Sequence, residues 1–240
     1  GSMIWHDLTS PLTIRSLTFN DSNDANTTLY LSRTVGGGAS RSFIFSSDTG
    51  NATLTVEAGS TGNKLVTSNI AGSTITLTSS LNIVHNGSGN LTIGGNAIFT
   101  GAGNITKSGT GTLIISGNNT YTGATTISAG TLKAGGATGI SSASTLNATG
   151  GVLDLNGFNA TVAAVGVGNA AGTITNSALG SGTNTLTITN YNADLASLIT
   201  DGATAKTAVT LSNSGGASKL NNANNTFSGG LTIAGNNTRL

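Results

Sequence analysis

The chain has 240 residues, nine Lys and Arg against eight Asp and Glu, and a formal charge of +1. Only 7% of its residues are charged and 4% aromatic, there is one Pro and no Cys, and 36 Gly, 41 Thr, 28 Ser and 28 Asn together fill 133 positions. Soluble domains ordinarily carry about a quarter charged residues. The shortage of helix formers therefore argues against a helical or α/β enzyme domain, and collagen is excluded because Gly does not recur at every third position.

The basic residues are scattered from Arg15 to Arg239, so no concentrated surface for nucleic acid is expected. Without Cys there is no disulfide, thiolate nucleophile or thiolate metal site. No apolar run is long enough for a membrane helix, and no membrane insertion by this segment is expected. The opening Gly1-Ser2-Met3 reads as a remnant of an expression tag. Residues 4–240 are then expected to form one repetitive unit, part of a longer solenoid.

Short alternating segments recur along the chain. Thr53-Leu54-Thr55-Val56, Thr74-Ile75-Thr76-Leu77 and Asn90-Leu91-Thr92-Ile93 come first, followed by Thr112 to Ile115, Val152 to Leu155 and Thr173 to Thr175. Thr185 to Ile188, Ala208 to Leu211 and Leu231 to Ile233 complete the series. A period of two residues predicts strands with Leu or Ile facing inward and Thr facing solvent. Gly87-Ser88-Gly89-Asn90 and Ser116-Gly117-Asn118-Asn119 predict turns, since Gly and Asn tolerate positive φ. The best helical candidate, Asp194 to Ile199, is under two turns long.

Leu91, Leu113, Leu132 and Leu153 follow one another at intervals of 22, 19 and 21 residues. Such a period suggests a solenoid or an array of hairpins. A sandwich would require a thicker core of large side chains than these strands provide. The prediction is an all-β, right-handed parallel β-helix (β-solenoid) of roughly 12 coils of about 20 residues, giving a rod of some 55 Å at ~4.8 Å per coil. Asn at the corners is expected to form hydrogen-bonded ladders.

Residues 101–135 read GAGNITKSGTGTLIISGNNTYTGATTISAGTLKAG. This stretch resembles the autotransporter-associated β-strand repeat, also called the passenger-associated transport repeat. The matching positions are Lys107, Ser108, Gly109, Gly111 and Leu113, then Gly117, Asn119, Thr120, Tyr121 and Gly123, then Thr125, Ile127, Gly130 and Leu132. Asn118 to Ile127 and Asn224 to Ile233 share six of ten positions at a separation of 106 residues. The signature thus covers 104–135, with a degenerate copy at 218–235 that lacks the Lys-Ser-Gly start.

The resemblance implies a structural stalk or passenger segment of an exported bacterial surface protein, located at the cell surface or outside the cell. It would support secretion, folding and display of distal regions. The implied partners are neighbouring β-helix coils of the full-length protein, with self-association and surface glycans as further candidates. The alternatives are a carbohydrate-binding or adhesive module and, less favoured, a polysaccharide-active β-helix enzyme. The family assigns no catalytic residue to the repeat, so no enzyme activity is expected.

Asp21 and Asp24 share a loop that offers oxygen ligands for calcium, but a plain solvated turn fits better because the EF-hand pattern is absent. Hydrolysis of a glycan needs two flanking carboxylates, and Asp154 is expected to stand alone on an outward strand position. His6, beside Asp7, is read as incidental, and His85 as a corner or surface residue. With two distant His and no Cys, no zinc site is expected. A Gly-x-Ser-x-Gly nucleophile elbow and a phosphate loop are both missing. Lys107 is expected to carry its charge outside the coil with its stem along the surface. Tyr121 and Phe227 are expected to cap the coil interior at a corner, the rival role being an aromatic platform for sugars. Trp5 is expected to cover the open end of the tube. No catalytic, cofactor-binding or metal-ligating residue is assigned, and no cofactor.

Overall fold

The structure, a computed structural model, describes residues 3–5, 12–20, 26–30, 42–166, 169, 171–190, 193–212 and 220–234. Among them there are 22 strands and no helix; the Asp194–Ile199 region contains only the short strand Leu198–Ile199. Every strand pairing is parallel, in sheets of eleven, seven and four strands whose neighbours are separated by whole coils of sequence. This is a right-handed parallel β-helix. Parallel neighbours need a crossover between them, and here the rest of each coil provides it.

The Leu periodicity translates directly into packing. Leu91, Leu113, Leu132, Leu153 and Ile174 lie in register on successive strands and are fully buried. Each such side chain contributes about 1.5–3 kcal/mol on burial. Ala52–Val56 and Leu81–His85 alternate between buried and half-buried positions, as a half-solvated strand must. A second inward column runs Leu54, Ile83, Lys107, Ile127 and Ala148. The lysine in that aliphatic column is the first surprise of the fold.

The coils are less uniform than the prediction. The longest path has nine strands in register, which at ~4.8 Å per rung spans about 40 Å. From Asn90 to Thr173 the steps are 22, 19, 21 and 21 residues. Towards the N-terminus the step from Thr27 to Lys64 is 37 residues, and towards the C-terminus that from Thr173 to Leu198 is 25. Register requires the strands to stay in phase and places little constraint on the loops between them, because lengthening a loop costs little. The extra strand pair Leu12–Ile14 and Ser42–Phe45 is built into the long early coils.

The corners are tied by asparagine, though through the backbone more than through stacked amides. Asn26 Oδ1 accepts the backbone N–H of Asn63, and Asn63 Oδ1 accepts that of Asn90, both at 2.8 Å. One amide–amide rung also occurs, from Asn51 Nδ2 to Asn82 Oδ1 at 3.2 Å. The bonds to Asn26 and Asn63 each satisfy a main-chain donor that the turn removes from the ladder.

Candidate functional site

The signature coil brings its unusual residues together inside the tube. Ile105–Ser108 forms a strand with burial pattern BiBi, so alternation turns Ile105 and Lys107 inward. Lys107 is 0% exposed. Its ammonium donates to the carbonyl oxygens of Ser108 and Gly109 at 2.8 Å and to that of Ala129, one coil further on, at 3.2 Å. The expectation of a charge outside the coil is therefore overturned. The inward phase of the strand sends the stem into the bore, and three corner carbonyls replace water around the head. Burial pulls its pKa down to about 8.

Below it lies His85, expected at a corner or on the surface; it does end its strand, but it is fully buried, so the surface alternative is overturned. Leu81, Ile83 and His85 share one face of their strand, and that face is the interior. His85 Nε2 lies 2.9 Å from the Gly89 carbonyl oxygen. A carbonyl can only accept, so Nε2 carries the proton and Nδ1 is a bare acceptor. Nδ1 is buried and has no hydrogen-bond partner. Burial, reinforced by the positive charges of Lys107 and Lys64 and partly offset by the Gly89 carbonyl, holds the imidazole at about 4.

Two signature glycines exist to admit these side chains. A Cβ on Gly111 would lie 2.7 Å from His85 Nδ1 and 2.8 Å from its Cε1. A Cβ on Gly130, whose φ is +65°, would lie 2.4 Å from the Gly109 carbonyl and 2.8 Å from Lys107 Nζ. In both places the missing side chain is the space the buried base occupies.

The third part of the signature is a polar chain through the core. Tyr121 is 0% exposed, packs edge-on against Phe99 with ring centroids 6.2 Å apart, and bonds Thr125 Oγ1 at 2.7 Å. Thr125 meets Ser144 Oγ of the next coil at 2.8 Å, and Ser144 donates to the Gly123 carbonyl. Burial pushes the phenol pKa upward against the opposing effect of these bonds. Asn119 works in both directions: its Oδ1 accepts from Phe99 N–H of the coil before at 2.7 Å, and its Nδ2 donates to Gly139 O of the coil after at 2.7 Å. Tyr121 thus caps the interior as expected, and its burial removes it as a sugar platform.

The second copy repeats the contacts to the coil before it. Asn225 Oδ1 accepts from Ile199 N–H, Thr226 N donates to Ile199 O as Thr120 N does to Phe99 O, and Gly229 N bonds Thr207 O. Phe227 is partly buried against the core, and Leu231, at the position of Thr125, is 38% exposed.

Two carboxylates, Asp154 and Asp201, hold coils together. Asp154 does not stand alone: it is buried, accepts from the N–H groups of Asn156 and Ser177 and from Ser177 Oγ, and pairs with Lys133 at 3.3 Å. Register explains this, because Lys133 lies directly opposite Asp154 on the adjacent strand. Asp201 accepts from Thr207 N and Ser228 N; desolvation is the largest single influence on its carboxyl and pushes the pKa up, but the bonds from Ser228 and Thr207 and the charge of Lys206 together outweigh it and lower the pKa. Among the described residues no three His, Asp or Glu side chains gather as a metal site, and no helix is long and apolar enough to cross a membrane. His6, Asp7, Asp21, Asp24 and the Trp5 side chain lie outside what is described.

The family model for the passenger-associated transport repeat matches residues 105–134 and 215–235. The first stretch contains Lys107, Gly111, Asn119, Tyr121, Thr125 and Gly130. Both stretches are similar to an autotransporter-type repeat, and together they cover a minor part of the chain. Comparison with curated proteins and with solved structures gives no match.

Proposed function

We propose that this chain is a rod-forming segment of an exported bacterial surface protein, a stalk or passenger region that holds distal parts away from the cell and aids secretion by folding coil upon coil. The observation that supports this reading most is the interior of the repeat. Lys107, Asn119 and the Tyr121–Thr125–Ser144 chain all join one coil to the next and are themselves buried. Repeat proteins of this kind derive stability from neighbouring units, which suits a chain that must fold progressively. The reading includes no catalysis, since Asp154 and Asp201 are committed to backbone and coil-to-coil bonds.

The test places the chain between a bacterial surface anchor and an epitope. The epitope should be displayed on the cell, and fluorescence transfer to the membrane should fall relative to a fusion lacking the chain, consistent with a spacer of about 40 Å. Equal transfer with and without the chain would overturn the spacer role. Binding to a glycan array, or cleavage of a polysaccharide, would favour an adhesive or enzymatic reading instead.

A further inference from the structure

We infer that the His85–Lys107 pair inside the bore makes the section of rod around residues 81–115 an acid-opened joint, with the proton taken up at His85 Nδ1. The device depends on interior geometry and is independent of what the rod carries.

The argument starts from hydrogen bonding. In the neutral ring Nε2–H is spent on the Gly89 carbonyl, and Nδ1 sits buried without a partner. An unmatched acceptor is tolerable, but protonation would convert it into a charged donor with no acceptor in reach, a much costlier state. The Nδ1 edge of the ring faces Gly111, where a Cβ would come within 2.7 Å of Nδ1 and 2.8 Å of Cε1.

The surrounding charges make this worse. The strand on one side, Ile105–Ser108, contributes Lys107, and the strand Lys64–Leu77 contributes Lys64, both of which oppose a positive charge on His85. The strand on the other side, Ala52–Val56, places Val56 opposite His85, and the next residue, Glu57, is exposed to solvent. The bonds of Lys107 go to carbonyl oxygens, so no carboxylate absorbs the added charge at that position. Relief comes from opening the coils, where water reaches both bases.

The sign follows from linkage. An opened His85 titrates near 6.5, and the closed one near 4. Between those values the open form binds the proton and the closed form does not, so closure weakens as pH falls. From pH 7 to pH 4 the opening constant rises by about a hundredfold.

Hydrogen exchange resolved by mass spectrometry tests this, comparing the intact chain with His85→Gln at the same pH so that intrinsic exchange cancels. Between pH 7 and pH 4, peptides within 81–115 should lose protection at least tenfold more in the wild type than in the variant, while peptides within 183–212 behave alike. Equal loss in both proteins, or loss spread evenly along the rod, would overturn the joint. If the variant does not fold, nitrogen-15 shifts of the wild-type imidazole decide. A ring still neutral and protonated on Nε2 at pH 5.5 supports the inference, and a ring that titrates near 6.5 removes it.

Discussion

Lys107→Met tests whether the buried ammonium joins two coils. The substitution keeps an unbranched apolar stem in the column between Ile83 and Ile127 and removes the donor to three carbonyl oxygens. Losing those donors is worth about 1–3 kcal/mol per stranded group, whereas relief from burying a charge returns a comparable amount. The net loss at pH 7 should therefore be modest, about 1–3 kcal/mol. The distinctive signature is in the pH dependence. Below pH 8 the folded and unfolded chains both hold the lysine proton. Between about 8 and 10.5 the unfolded chain holds it and the folded chain does not, so wild-type stability rises with pH. The rise amounts to about 2 kcal/mol between pH 7 and 9.5, a window that stays below phenol titration. Urea unfolding followed by far-ultraviolet circular dichroism at pH 7, 8.5 and 9.5 measures it. The variant should lack the rise, so its deficit should widen with pH. Parallel slopes in the two proteins would mean that the buried lysine is not the titrating group.

Gly111→Ala should destabilise by about 3 kcal/mol or more, because the new methyl meets the His85 ring. Gly136→Ala, where a Cβ would meet nothing within 4 Å, should stay within about 0.5 kcal/mol of wild type; urea titration compares the two. Tyr121→Phe breaks the bond to Thr125 in a fully buried site and should cost about 1–2 kcal/mol, whereas Phe227→Tyr at the partly buried equivalent should be near neutral in the same assay. Asp154→Asn weakens the joint to Ser177 and Lys133 and should lower the thermal midpoint by about 2–8 °C, measured by calorimetry.

The fold was legible because its core is periodic at two scales. Alternation inside Thr53–Val56 or Thr112–Ile115 shows which side chains enter the bore, and the spacing of Leu91, Leu113, Leu132 and Leu153 shows which ones stack. The length of individual coils was not legible, because loop length is nearly free where no ladder constrains it, and the step between rungs ranges from 19 to 37 residues. The misreading of Lys107 and His85 has a different origin. Charge and imidazole argue for the surface as residue types, whereas strand phase argues for the interior. Ile105 and Lys107 share a phase, as do Leu81, Ile83 and His85. In a parallel coil phase prevails, since slipping one residue would expose every aliphatic neighbour. A second signal was available in Gly111 and Gly130, which flank the buried bases.

The two signature copies show which parts of the motif dock backwards and which dock forwards. Asn119 and Asn225 accept from the coil before in the same way, and the equivalent glycines Gly123 and Gly229 would each drive a Cβ into a carbonyl of the preceding coil, at 2.2 and 2.4 Å. These positions are retained in both copies because they seat the turn on a rung already built. Tyr121 and Thr125, which reach Ser144 ahead of them, are replaced by Phe227 and Leu231, and Lys107, whose ammonium reaches Ala129, has no counterpart in a Lys-Ser-Gly start before the second copy. The forward contacts are polar and specific to one partner coil, so they can change when the next coil changes. The backward contacts depend on the backbone and cannot. A repeat divided in this way tolerates sequence change in the coil that follows while keeping each turn in register with the coil before it.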